Sequence, residues 1–175
     1  MPITAQIDLP DLATRFIGQL AHCQRLGLTV HHIETNKVEL KLPYSTDLVG
    51  YPDTGVVHGG VITTLIDTAC GCAVVCAIFE QFQSLEISPT LDLRVDYMRP
   101  AEPHKPIYGL AECYKLTSNI AFVRALAYQD DVEQPIAHAV ATFMRISAEM
   151  VGDEFRQALL GQVDTQASAK DGQQS

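Results

Sequence analysis

Basic residues are few in this sequence, and they are not clustered. Lysine and arginine together number 12, against 21 aspartates and glutamates, and the formal net charge is -9 at pH 7. A surface of this sign repels phosphate backbones and anionic membranes, so nonspecific nucleic-acid binding would need a local basic patch. No run of lysine and arginine supplies one. We therefore expect neither nucleic acid nor a membrane surface as a partner.

Long uninterrupted apolar segments are also lacking. No stretch near the N-terminus has the length and flanks of a signal peptide, and none elsewhere approaches about 20 residues without a polar interruption. We therefore expect a soluble, cytoplasmic protein. Only 19% of the residues are charged and 47% are apolar, which disfavours a disordered chain and predicts a well-filled core.

Residue spacings typical of metal sites are missing. The chain has five cysteines, an odd number, and three of them, Cys70, Cys72 and Cys76, lie in one apolar segment without His or Asp ligands at zinc-finger spacing. The histidines outside the motif described below are scattered along the chain. We interpret the cysteines as reduced core residues, and we expect neither a metal nor a cofactor.

The length of the chain, 175 residues, suits one domain with its own core. We place this domain at residues 1–149 and begin it with an extra amphipathic helix at residues 10–25, where apolar residues recur at helical intervals after a Pro-Asp start. Residues 150–175 are predicted to form a C-terminal extension, made of a short helix and then a polar tail of disordered composition.

The middle of the chain predicts a hairpin, a long loop, a buried helix and a series of strands. Residues 28–34 and 37–42 alternate in polarity around a short turn, and residues 43–57 are rich in loop-forming types. Residues 59–82 are apolar on nearly every face, as expected for a central helix. The predicted strands that follow are 90–97, 107–115, 120–129 and 136–146.

This element order argues for the α+β class, with one curved antiparallel sheet wrapped around the long central helix. It excludes a doubly wound parallel sheet. An open six-stranded sheet has exposed edges, and continuing it across a two-fold axis into a second subunit removes them. We therefore expect a homodimer, with a dimer of dimers as a further alternative.

The sharpest local feature is His58-Gly59-Gly60, directly before the central helix, with Asp67 farther along it. Consecutive glycines at a helix start leave backbone N–H groups open to a ligand oxygen, and the helix dipole adds partial positive charge. The glycines could instead serve only close packing. A carboxylate on an apolar helix costs several kcal/mol if it is buried unpaired, so Asp67 faces a solvated groove, hydrogen-bonds to a neighbouring amide, or has a functional role.

Spacing on the helix bears on assembly. With a rise of about 1.5 Å per residue, Gly60 and Asp67 lie about 10 Å apart along one helix axis. Gly60 and Asp67 of the same chain therefore cannot contact the same substrate carbonyl. If they cooperate, the amides of one subunit must meet the aspartate of another, and a two-fold dimer would hold two composite sites.

Two sequence segments, HGGVITTLID and PTLDLRVDYMRPA, resemble the hotdog-fold thioesterases, in the phenylacetyl-CoA-type and human-type branch with an Asp on the central helix. The resemblance covers residues 28–147. It implies a hotdog fold and hydrolysis of aryl- or fatty-acyl-CoA to free acid and CoA. In that family the first Gly after the His donates its N–H to the thioester carbonyl, which maps onto Gly59. The helical aspartate maps onto Asp67, held to act as nucleophile or as general base.

Further residues carry over from the same resemblance as substrate-binding positions. A Thr on the facing strand, matching Thr90, is held to orient the water, and His58 is expected to shape the loop and the oxyanion site. The Gly60 amide is included with them. The turn at Ser118 and Asn119 corresponds to a segment near the CoA arm.

One position departs from the family pattern. Relatives often carry an Asn six residues before the His, where this chain has Pro52 with Asp53 beside it. A noncatalytic acyl-CoA-binding or sensing module is therefore kept as the alternative. A hotdog hydratase would need a His shortly after Asp67, and Thr68-Ala69-Cys70 follows instead. Cysteine-based catalysis has no activating base nearby in the sequence.

Overall fold

A six-stranded antiparallel sheet and one long helix form the body of the chain in the computed structural model, which describes residues 7–146, 150 and 152–161. The elements in chain order are α1 (Leu9–Gly18), α2 (Ala21–Leu26), β1 (Thr29–Glu34), β2 (Lys37–Leu42), β3 (Val49–Tyr51), β4 (Val56–Val57), α3 (Gly59–Phe82), β5 (Thr90–Tyr97), β6 (Ile107–Leu116), β7 (Ile120–Tyr128), β8 (Ala137–Met144) and α4 (Asp153–Leu160). In the large sheet the strand order is β1-β2-β6-β7-β8-β5. This is the predicted α+β hotdog arrangement, which is confirmed.

The N-terminal helix differs from its prediction as one unit at residues 10–25. The chain forms two helices, and Leu20 between them has an extended backbone, with φ -94° and ψ 103°. The side chain of Asp8 caps the start of α1 by accepting a hydrogen bond from Asp11 N at 2.8 Å. Gly18, a poor helix former, lies at the end of α1. The periodicity of the sequence continued across this break because both helices turn apolar residues toward the same core.

The segment 43–57, predicted as a loop, also has structure of its own. A 3-10 turn covers Thr46–Leu48, and β3 and β4 pair as a small antiparallel hairpin. His58 N donates to Leu48 O at 2.8 Å, which fixes the end of the segment where α3 begins. The residues that lead into α3 are therefore held by hydrogen bonds and do not form an irregular loop.

The core lies between α3 and the inner face of the sheet. Burial alternates along β6, β7 and β8, so one face of each strand contacts the helix. The inner positions of these strands are mostly small, and at Gly109 an added Cβ would lie 2.9 Å from Leu65 Cγ. The helix therefore approaches the sheet closely. Although α3 is long and apolar enough to cross a membrane, 72% of its most apolar window is buried inside the protein.

The C-terminal extension packs through α4. Leu159 is buried in a second apolar cluster with Leu12 of α1 and Phe79 of α3. Its carbonyl accepts a hydrogen bond from Arg15 Nη1 at 3.2 Å. The predicted short helix is thus present. Gly161 is the last described residue before the predicted polar tail, which itself lies outside the described residues. The domain boundary proposed at residue 149 stays a prediction.

A buried ion pair fastens the connection between α3 and β5. The Arg145 guanidinium donates to Glu86 Oε2 at 2.9 Å and to Oε1 at 2.8 Å, and a third bond reaches the Thr117 carbonyl at 2.6 Å. The two charged side chains are only 10% and 11% exposed. Arg145 also lies over the Phe82 ring, 4.5 Å from its centroid. Arg145 thus links the connection between α3 and β5 to the turn between β6 and β7.

Replacing Arg145 by methionine should lower the free energy of unfolding by about 3–5 kcal/mol, because Glu86 would be left charged and unpaired in a buried place. Urea denaturation measures the change. The matched control is Arg94→Met, which breaks an exposed pair with Asp96 and should cost at most about 1 kcal/mol. Equal losses in the free energy of unfolding would show that the buried pair contributes no more to stability than the exposed one.

Candidate active site

The start of α3 is organised by His58. This residue is the N-cap of the helix, and its Nδ1 accepts a hydrogen bond from Gly60 N at 2.9 Å. The Gly60 N–H is therefore already paired within the chain. This corrects the expectation that the amides of both glycines are open to a ligand. Histidine is not among the usual capping residues, so sequence patterns did not predict this hydrogen bond.

The Gly59 N–H is the open donor of this helix start. Among the hydrogen bonds of the described residues, none uses this amide. It lies at the positive end of the dipole of a 24-residue helix, where partial negative charge is stabilised. Gly59 therefore has the properties expected of an oxyanion donor.

Asp67 meets Thr90 between α3 and the start of β5. The Thr90 hydroxyl donates to Asp67 Oδ1 at 2.9 Å, so these two predicted site residues are in contact, and their catalytic roles stay predictions. Asp67 is half-buried and Thr90 is exposed. Because the hydroxyl uses its only hydrogen on the carboxylate, its lone pairs remain able to accept a hydrogen bond from water. A water at this point would contact both an acceptor of its proton and a group that orients it.

A cavity of about 780 Å³ opens over this pair. It combines hydroxyl groups with apolar surface, and one wall comes from α2, which the sequence did not connect with the site. The helical periodicity of residues 10–25 showed that the segment packs on the core, but not which part of the core. The lining residues are His22, Arg25, Leu26, Thr63, Thr64, Asp67, Thr90 and Leu93.

Other sequence candidates lie away from this cavity within one chain. Ser118 and Asn119 are exposed in the turn between β6 and β7, and neither lines it. Their role near the CoA arm stays a prediction. Pro52 and Asp53 line a different cavity, of about 690 Å³, beside Tyr44.

Known proteins were compared with this sequence and fold. The family model described as the thioesterase superfamily matches residues 54–136, which include the helix start, Asp67 and Thr90. A crystal structure of a Pseudomonas aeruginosa protein is 55% identical, covers 79% of this chain and 100% of that one, and superposes with a TM-score of 0.72. This chain belongs to the thioesterase superfamily.

Two relatives of this superfamily member have names that state an activity. The medium/long-chain acyl-CoA thioesterase YigI of Salmonella typhimurium is 27% identical over 151 residues, or 81% of this chain and 96% of the relative. A Halobacterium salinarum protein named as an esterase is 40% identical over 95 residues. That second match spans 54% of this chain and 62% of the relative.

The cysteines of this thioesterase-superfamily chain are poor nucleophiles. All five are free and buried. Burial raises the pKa of the Cys113 thiol to about 11, and burial also raises the pKa of Cys70, with a further contribution from the nearby Asp67 charge. A neutral buried thiol neither attacks a carbonyl nor binds a metal readily. The carboxylate of Asp67 is thus a better candidate than any thiol.

The donor and the carboxylate of this superfamily member lie on one straight element. Gly59 and Asp67 are eight residues apart on α3, which corresponds to about 12 Å along the helix axis. A thioester carbonyl that accepts a hydrogen bond from Gly59 N is therefore out of reach of Asp67 in the same chain. Each chain carries half of two sites, or else only one of these groups is used.

Proposed function

We propose that this protein hydrolyses acyl-CoA thioesters to a free acid and CoA. The observation that carries the proposal is the hydrogen bond from Thr90 to Asp67 at the cavity of about 780 Å³, because an oriented carboxylate in the wall of a cavity is suited to activate water against a bound substrate. The name of the YigI relative, which the chain matches over 96% of that protein, supports medium- or long-chain acyl-CoA as the substrate class.

In the proposed reaction the Gly59 N–H and the dipole of α3 polarise the thioester carbonyl and stabilise the oxyanion that forms on it. Asp67 either takes a proton from water, whose oxygen then adds to the carbonyl carbon, or adds to that carbon itself through a carboxylate oxygen. Collapse of the tetrahedral species breaks the carbon–sulfur bond, and CoA leaves as a thiolate that is then protonated. On the second route, water hydrolyses the resulting anhydride.

A two-fold dimer would bring Gly59 of one chain to Asp67 of the other, and we include it in the proposal. Strand β5 supports the two-fold dimer, because it forms an edge of the sheet and has solvent-exposed apolar residues. Leu91, Tyr97 and Met98 at this edge are 55%, 49% and 63% exposed. Such an edge is a template for pairing with another chain. Edge pairing would also cover these side chains.

Two dimers could associate further through the outer face of the sheet. Tyr114, Val140 and Met144 are exposed on β6 and β8. Large exposed apolar patches are typical of interfaces. A homotetramer is therefore consistent with the proposed assembly.

A panel of acyl-CoA thioesters tests the function, with the released CoA thiol as the measured product. Leu26 and Leu93 give the cavity apolar surface, and each buried methylene contributes about 0.8 kcal/mol. We therefore expect octanoyl-CoA to exceed acetyl-CoA in kcat/KM by at least about 10-fold. Binding of acyl-CoA without release of CoA would contradict hydrolysis and favour a noncatalytic acyl-CoA-binding protein.

A further inference from the structure

The last residue of β5, Tyr97, contacts the first turn of α3. Its hydroxyl donates to the carbonyl of Gly59 and lies 2.7 Å from Thr63 Oγ1. Thr63 Oγ1 also approaches the same carbonyl, at 3.3 Å. A side chain from the sheet edge and a side chain from the helix thus meet on the carbonyl of Gly59, and the N–H of the same residue, in the preceding peptide group, is the open oxyanion donor.

The tyrosine is itself held in place by the sheet. Tyr97 is in register with Ala137 of β8, and the next amide, Met98 N, donates to Ile136 O at 2.8 Å. The phenol ring therefore spans from a fixed strand end to the helix start. The Tyr97 side chain thus connects the edge strand β5 to the first turn of α3.

The same contact gives a second reason for glycine at position 59. A Cβ added to Gly59 would lie 3.2 Å from the Tyr97 hydroxyl oxygen and 3.3 Å from the ring carbon that bears it. An alanine would require the phenol to shift by a few tenths of an ångström. Glycine, however, is the residue with the greatest backbone freedom, and the Gly59 N–H has no partner of its own among the described residues to restrain it. The Tyr97 hydrogen bond supplies a restraint on the carbonyl side.

We propose that Tyr97 is a positioning residue: by holding the Gly59 carbonyl it restrains rotation about the Gly59 Cα, and so keeps the Gly59 N–H directed at the carbonyl oxygen of the bound thioester. This inference rests on the proposed thioester hydrolysis. An oxyanion donor acts by being in place before charge develops, and a misplacement of about 1 Å can cost about 100-fold in rate. Thr63 shares the task, since its one hydroxyl hydrogen is donated either to the Tyr97 oxygen at 2.7 Å or to the Gly59 carbonyl at 3.3 Å.

The direct test is Tyr97→Phe, which keeps the ring and removes the hydroxyl. We expect kcat for a good acyl-CoA substrate to fall about 10- to 100-fold, with KM changed by less than about twofold, because the lost restraint matters most when the oxyanion forms. Tyr114→Phe, an exposed tyrosine on β6, is the matched control and should keep wild-type kinetics. Thr63→Val, which removes the hydroxyl, should lower kcat as Tyr97→Phe does. Thr63→Ser, which retains the hydroxyl, should have a kcat close to that of the wild type.

A spectroscopic measurement separates positioning from stability. A ketone analogue of acyl-CoA, with a methylene between the sulfur and a 13C-labelled carbonyl, cannot be hydrolysed and reports its hydrogen bonding through the carbonyl stretching frequency. The stretch should be lowered in the wild-type complex and should return toward the solution frequency in Tyr97→Phe. Thermal unfolding of both proteins shows whether the fraction folded is the same.

Two outcomes would overturn the role of Tyr97: an unchanged carbonyl stretch in Tyr97→Phe, or a loss of kcat that only follows the fraction of folded protein. Failure of the proposed function has a different signature, since the wild-type protein would then release no CoA from any thioester tested. The carbonyl stretch still decides the role of Tyr97 in that case, because it needs only binding of the analogue.

Discussion

Asp67→Asn should strongly reduce the release of CoA while leaving the fold and substrate binding intact. Asparagine has nearly the same shape as aspartate, and its Oδ1 can still accept the hydrogen bond that Thr90 donates at 2.9 Å. It has no basic carboxylate oxygen to take a proton from water or to attack the carbonyl. General acid–base groups contribute about 10²- to 10⁴-fold, and we expect kcat to fall by an amount in that range.

Asp130→Asn is the matched control for this substitution. Asp130 is 70% exposed and pairs with Lys105, which has a second partner in Glu102, so its loss should leave both kcat and stability close to wild type. Calorimetric titration with the non-hydrolysable ketone analogue measures binding separately from turnover. A wild-type kcat in Asp67→Asn would remove the carboxylate from the mechanism, whatever the analogue shows.

Local sequence patterns predicted the backbone of this site well. The range 59–82 for the central helix and 90–97 for the following strand are those of α3 and β5. Each prediction depended on features within the segment, namely an apolar helix after a glycine pair and alternation before a Pro-containing turn. The assignment of Asp67 and Thr90 to one site came from family resemblance, because residues 23 positions apart have no local signal that joins them.

Contacts between distant segments could not be predicted in this way. The sequence did not place His22 and Arg25 in the cavity with Asp67, because helical periodicity shows which side of α2 is apolar but not what lies opposite its rim. It likewise gave Tyr97 only as part of a matching motif. That the phenol bonds to Gly59 depends on the end of β5 lying beside the start of α3, a result of sheet order rather than of either segment alone.

The occupied Gly60 amide shows a different limit. A glycine pair at a helix start predicts two exposed N–H groups, yet His58 Nδ1 accepts from one of them. Whether a side chain caps its own helix depends on one rotamer, which sequence patterns do not specify. The structure thereby reduces the candidate donors from two glycines to Gly59, and it makes the position of that single amide decisive for the proposed chemistry.

Mixing two inactive variants should restore activity if each site takes its amide from one chain and its carboxylate from the other. Gly59→Val disrupts the donor, and Asp67→Asn removes the carboxylate. When subunits exchange at random in an equal mixture, half of the dimers are heterodimers, and each of these has one site with both native groups and one with neither. The recovered rate of CoA release should therefore be about a quarter of the wild-type rate at the same total protein concentration.

The double variant Gly59→Val/Asp67→Asn supplies the control, because it reverses the expectation. Mixed equally with wild type, it forms heterodimers in which every composite site lacks one group, so about a quarter of the wild-type rate should remain, from wild-type dimers alone. Sites contained within one chain would leave about half of the rate in this mixture and none in the first. The two mixtures together thus distinguish a shared site from a single-chain site, and the separation of about 12 Å between Gly59 and Asp67 along α3 favours the shared one.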